Sequence, residues 1–199
     1  MNAKTPRILL VVSSFLGGLI VFLAAIFFIA GGVPSIGGAT GSAIGGPFKL
    51  VDQNGKAITD RDLRGKPFLV FFGYTHCPDV CPTTLFEASE VMRALGKDAD
   101  RTAMLFISVD PERDTPVVLK NYLSSFDPHV RGLTGTSDAI AAVEKEYRVY
   151  SKKIPEKDGE YSMDHSAIVY LMDKDGRFIA PFNLSRRPEV AAADLRKYM

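Results

Sequence analysis

Only two of the 199 residues are cysteine, Cys77 and Cys81, and only three are histidine, His76, His129 and His165. Two thiols allow at most one disulfide, so whatever chemistry the cysteines have is confined to one place. Neither lies near the N-terminal apolar segment, which leaves no residue there for lipid attachment. Acidic side chains are absent from the first 46 residues, and only Lys4 and Arg7 carry charge in that stretch. The remainder holds all 23 acidic and 22 of the 24 basic residues, a formal charge of −1, so a nucleic-acid partner has no electrostatic support. No internal repeat is present.

What the N-terminal stretch does have is length and apolarity. Residues 8–30 are 23 positions without a charge, with Ser13 and Ser14 as the only hydroxyls. At about 1.5 Å per residue, such a helix spans a hydrocarbon core of about 30 Å. Lys4 and Arg7 precede it, so residues 1–7 are expected in the cytoplasm and the rest across the membrane. A cleaved signal peptide is the competing reading. The apolar core is long for one, and no small-x-small cleavage site follows, which favours an uncleaved transmembrane helix over residues 8–30. Residues 31–46 hold seven glycines and read as a flexible tether with a reach of about 20 Å. The domain proper is expected over residues 47–199.

Within it, residues 48–59 alternate around Asn54-Gly55, a hairpin signal. Residues 68–72, Phe-Leu-Val-Phe-Phe, form a continuous apolar run that predicts a strand buried on both faces. Pro82 opens a predicted helix to Leu95, and residues 103–109 predict a second buried strand, which makes a βαβ unit. Thr115-Pro116 predicts a helix start, with Val118, Leu119, Tyr122, Leu123 and Phe126 on its buried face. A short strand follows at 132–134, then a helix at 138–147 with Ile140, Val143 and Tyr147 as its stripe. Residues 148–151 suggest a strand, 152–162 a polar loop, 167–172 and 177–180 a hairpin, and 188–198 a terminal helix. A sheet flanked by helices, with a dithiol at the start of the first major helix, predicts an α/β, thioredoxin-like fold.

A thiol at a helix N-terminus feels its positive end, which favours thiolate, the form that attacks disulfides and binds soft metals. The Cys-x-x-x-Cys spacing is one residue wider than the Cys-x-x-Cys of thioredoxin-type enzymes, so both sulfurs can face a third body. Two thiolates alone hold Cu(I) linearly, and a third ligand allows Cu(II). His165, in Met163-Asp-His-Ser166 just before the strong strand at 167–172, enters a thioredoxin-like sheet beside the dithiol. A site of Cys77, Cys81 and His165 is therefore the leading expectation. His76 adjoins Cys77 and is the alternative ligand; His129 reads as a solvated loop residue.

The residues Phe72-Gly-Tyr-Thr-His-Cys-Pro-Asp-Val-Cys-Pro82, Val109-Asp-Pro-Glu-Arg-Asp-Thr-Pro116, Leu133-Thr-Gly-Thr136 and Asp164-His-Ser166 together resemble the Sco/SenC family of copper proteins. The similarity runs in order from about residue 46 to the end. It implies a membrane-anchored, thioredoxin-like copper chaperone with its domain in the periplasm, outside the inner membrane. One copper ion, Cu(I) or Cu(II), is held by Cys77, Cys81 and His165. The implied partners are the apoprotein of cytochrome c oxidase subunit II, whose binuclear copper centre is being assembled, and another copper chaperone. Met163 stands where the family often has a β-branched residue.

Other readings stay open. Cys77 and Cys81 could form an inert disulfide, although closing so short a loop removes little unfolded-state entropy. They could be a redox dithiol without metal, which makes a thiol-disulfide oxidoreductase the rival function. Structural zinc wants four ligands and three are evident. Asp79 could tune thiolate basicity, and Asp164 could orient His165. Asp110 and Asp114 are expected to fix their loop and cap its helix rather than bind metal. Turnover of a small substrate is not expected.

Overall fold

The computed structural model describes residues 16–23, 26 and 44–199. Two compact units separate at Thr40 and Gly41. In the first, residues 16–23 are helical with apolar side chains exposed, among them Leu16, Ile20 and Phe22. Most of the segment expected to cross a membrane lies outside the described residues. Among the described residues no helix is long and apolar enough to do so.

The second unit is built on a seven-stranded mixed sheet. β1 (Lys49–Asp52) and β2 (Ala57–Thr59) form the expected hairpin, with Gly55 in the turn at φ +82°, where a side chain would be strained. β3 (Phe68–Gly73) is central. It pairs in parallel with β4 (Met104–Ser108) and antiparallel with β8 (Val169–Met172). Every residue of β3 and β4 is buried, which is why both runs are continuously apolar instead of alternating. β5 (Val130–Thr134) extends the parallel part and pairs antiparallel with β1, and β9 (Phe178–Pro181) closes the other edge.

Helix α1 (Val80–Leu95) joins β3 to β4. It buries Cys81, Leu85, Ala88, Val91, Met92 and Leu95, a stripe at helical spacing. The helix starts two residues before the predicted Pro82. Proline is tolerated there because first-turn N–H groups have no intrahelical acceptor to lose. Cys81 is thus inside the first turn and not at the cap. α2 (Pro116–Leu123) is capped by Thr115, whose hydroxyl accepts from the Val118 N–H, and α3 (Ser137–Tyr147) is capped in the same way by Thr136. α4 (Pro188–Arg196) packs on α1.

The expectations for residues 148–162 fail. Residues 148–150 are not in a strand, and residues 152–162 are not one loop. β6 (Ser151–Pro155) and β7 (Tyr161–His165) form a separate two-stranded antiparallel sheet, with Ser151 opposite His165. His165 is therefore the last residue of a strand.

Candidate metal centre

The sharpest constraint on the site is at the end of β3. A Cβ added to Gly73 would stand 2.8 Å from the Cys81 sulfur and 2.7 Å from the Phe106 ring. Glycine is required there because the sulfur occupies the space a side chain would take. The chain then turns through Tyr74 to Asp79, with the Cys77 N–H donating to the Tyr74 carbonyl. Cys77 is 8% exposed and Cys81 fully buried, and both are free thiols. The Cys81 N–H, one of the first-turn donors a helix leaves unpaired, points at the Cys77 sulfur, 3.4 Å away.

His165 arrives from β7. Its Nε2 is 3.5 Å from the Cys81 sulfur, and its Nδ1 is 3.2 Å from the Ser166 carbonyl. Donation from Nδ1–H to that carbonyl leaves the Nε2 lone pair facing the thiols. The ring is held edge-on by Tyr74 and Phe71, with centroids 5.7 and 6.2 Å away. Ligand atoms of Cys77, Cys81 and His165 all lie within 4.8 Å of one another. A first-row ion binds nitrogen and sulfur at about 2.0–2.3 Å, so ligands on opposite sides of it stand at most about 4.6 Å apart. Only a small closure is needed to hold one ion. Soft donors dominate the set, which suits Cu(I) and zinc, and three ligands fall short of a closed structural zinc site.

Electrostatics depart from the simplest expectation. Burial pushes the Cys81 thiol well above its ordinary value, and its contact with Cys77 pushes in the same direction. The helix N-terminus was expected to favour thiolate; desolvation outweighs it because this sulfur lies in the core and not at the helix mouth. A metal ion must therefore displace the Cys81 proton.

The other candidates fall elsewhere. His76 is exposed, with Nδ1 3.1 Å from the Thr75 hydroxyl, and is not among the three clustered side chains. His129 is not simply solvated. It is half-buried between Asp127 and Asp100, at 2.7 and 3.2 Å, and these carboxylates hold it above its ordinary pKa. Asp79 and Asp164 are exposed, and the Ser166 carbonyl takes the orienting role considered for Asp164. Met163 packs against the core.

Asp110 and Asp114 fix their loop as expected, although Thr115 caps the helix; sequence reasoning missed how far the two carboxylates reach. Asp114, fully buried, accepts hydrogen bonds from the Thr75 N–H and hydroxyl at 3.1 and 2.6 Å and from the Ser108 hydroxyl at 2.6 Å. Asp110 pairs with Arg113 and accepts from the Tyr161 hydroxyl at 2.9 Å. The dense acid–base pattern of Asp110-Pro-Glu-Arg-Asp114 was the available signal, but the partners that tie it to the centre, Thr75 and Tyr161, are 39 and 51 residues away.

The fold and this cluster define a thioredoxin-like domain with a dithiol–imidazole centre. Comparison with known proteins narrows the class. A match to SCO1/SenC covers residues 37–199, and the chain belongs to that family. It is 40% identical over 148 residues to the SCO2-like protein of Rickettsia felis, covering 73% of this chain and 72% of that one. A solved structure of Bradyrhizobium japonicum ScoI with copper bound is 69% identical, with a TM-score of 0.77, and the alignment covers 78% of this chain and 99% of the other. Yeast Sco1 with copper bound is 36% identical with a TM-score of 0.69, over 78% of this chain and 90% of that one.

Proposed function

We propose that this chain is a membrane-anchored copper chaperone. It takes one copper ion on Cys77, Cys81 and His165 and passes it to the apoprotein of cytochrome c oxidase subunit II during assembly of the binuclear centre. The observation that carries this reading is the convergence of two thiols and an imidazole nitrogen within 4.8 Å. Similarity to copper-bound Sco structures supports copper over other soft ions. The uncharged run at residues 8–30 supports a single-pass inner-membrane anchor, with residues 47–199 in the periplasm. Another copper chaperone is the fitting donor.

Transfer is by ligand exchange. Cysteines of the acceptor replace these ligands one at a time, and the protons lost when copper arrived return to the thiols as it leaves. His165 suits the role of first ligand to detach, because it is the only one of the three outside the βα turn. A second reading, reduction of a partner disulfide, is favoured by the adjacency of two free thiols. One sulfur would form a mixed disulfide with the partner and the other would resolve it. Two electrons and two protons pass to the partner, leaving a Cys77–Cys81 bridge.

His165→Ala separates the readings. Copper absorption and electron spin resonance of the full chain should show Cu(II) binding lost, with Cu(I) binding by the dithiol and disulfide exchange retained. Full copper affinity in both oxidation states, with loss only of reductase activity, would sink the chaperone reading.

A further inference from the structure

The loop after β4 grips both halves of the centre at once. On one side Asp114 holds Thr75, two residues from Cys77. On the other, Arg113 holds the hairpin that carries His165. Its Nε pairs with Asp110, and its Nη1 donates to the Tyr161 carbonyl at 2.9 Å. Its guanidinium lies 3.7 Å from the Tyr161 ring centroid. Lys153, paired with Glu112 at 2.8 Å, brings a second cation to 4.1 Å from the same ring. No strand of the hairpin is paired with the seven-stranded sheet, so its position depends on such side-chain contacts.

Strand geometry connects the clasp to the imidazole. Successive residues alternate faces, so Tyr161, Met163 and His165 share one face of β7. Tyr161 meets Arg113, Met163 packs against the core with its backbone hydrogen-bonded to Tyr74, and His165 meets Cys81. The three contacts hold one short strand at its start, middle and end.

We propose that Arg113, clasped to Tyr161, is a positioning residue that sets the reach of His165 to the dithiol and so decides whether a third ligand is offered. This rests on the copper reading above. The clasp needs arginine: a planar fork that pairs with a carboxylate, donates to a carbonyl and stacks on a ring has no lysine equivalent. It is also incomplete, since the buried Nη2 has no hydrogen-bond partner among the described residues. The clasp therefore holds the hairpin without saturating the guanidinium. With it closed, the centre offers two sulfurs and a nitrogen. With it open, the dithiol remains, and a thiol-bearing acceptor can take the vacated position.

The test is Arg113→Lys in the full chain, with Tyr161→Leu as the second variant should the first fail to fold. In the metal-free protein, we expect amide exchange of residues 161–165 to speed up by roughly tenfold or more while β3 and β4 keep wild-type rates. Magnetic-resonance contacts from the His165 ring to Phe71 and Tyr74 should weaken in parallel. Cu(II) affinity should fall by about 10-fold to 100-fold, as it does when a ligand loses its orienting partner, and Cu(I) affinity by less. A folded variant with wild-type exchange and ring contacts overturns the proposal, as does an equal fall in affinity for both oxidation states. Should the wild-type chain take up no copper, the copper reading fails by itself, and the metal-free measurements still decide whether Arg113 positions the imidazole.

Discussion

Cys81 and His165 face each other across 3.5 Å from opposite kinds of structure. The cysteine stands in the first turn of α1 against β3 and β4, where every strand residue is buried. The imidazole ends a two-stranded hairpin of largely exposed or half-buried residues that shares no strand pairing with the main sheet. One half of the centre is placed by the hydrophobic core and the other by a few polar contacts. A centre that must hold an ion and then release it gains from this asymmetry. The sulfurs can be held rigidly while the third ligand stays adjustable.

The comparison breaks first if the two regions contribute alike to stability. Phe72 is fully buried, with its ring tilted against Tyr147 and edge-on to Tyr170. Phe72→Ala should cost about 3–5 kcal/mol in urea unfolding. Ile154→Ala, at a half-buried position of β6, should cost under about 1 kcal/mol. Similar losses for the two would show that the hairpin is as much part of the core as β3.

Gly73→Ala tests the rigid half more finely. The new methyl must displace either the Phe106 ring or the Cys81 sulfur, and overpacking of this kind costs about 1–3 kcal/mol. We expect the folded variant to lose metal affinity as well, because the sulfur is the smaller obstacle. Wild-type affinity measured by competition with a chelator would mean that the ring yields and the sulfur stays.

The same asymmetry governs what was legible in the sequence. β3, β4 and α1 announce themselves through continuous apolar runs and a helical stripe, because burial on both sides leaves no room for polar residues. β6 has Lys152 and Lys153 side by side and so no period of two, and β7 alternates over only five residues, with Ser162 and Asp164 between Tyr161, Met163 and His165, too short a run to mark a strand. Asp158-Gly159 was a turn signal between them. His165 was found through its place just before the strand at 167–172, with the Asp164-His-Ser166 motif added to it, and not through β7. The height of the Cys81 pKa could not be read from position along a helix, because it depends on packing from β3 and β4. Arg113 looked like one charge in a polar loop, and its partner Tyr161 is 48 residues further on.

Proton linkage sharpens the comparison at the thiol. Burial raises the folded-state pKa of Cys81 above its unfolded value, so the neutral thiol is the folded form. The stability it contributes is complete below the ordinary thiol value of about 8.5 and is lost as pH rises through it toward the raised value. The metal-free domain should therefore lose stability above that pH, and Cys81→Ala should flatten the loss. Metal binding has the opposite sign. Each proton expelled makes apparent affinity rise about tenfold per pH unit. Calorimetry at pH 7 in buffers of different ionisation enthalpy should count at least one proton released per ion. A count of zero would mean that Cys81 is not a ligand.

The smallest effect belongs to Asp164, the direct neighbour of His165 in the chain. A carboxylate beside a ligand histidine invites an orienting role, but alternation along β7 sends the two side chains to opposite faces. Asp164 is exposed and lies opposite Lys152 on β6, while His165 Nδ1 faces the Ser166 carbonyl. Removing a true orienting partner costs about 10-fold to 100-fold in metal affinity, so Asp164→Asn should leave copper affinity within about twofold of wild type. A larger fall, with the His165 ring contacts to Phe71 and Tyr74 unchanged, would show that the carboxylate acts on the ion through its charge. The flexible half of the centre would then be tuned by electrostatics as well as by the Arg113 clasp.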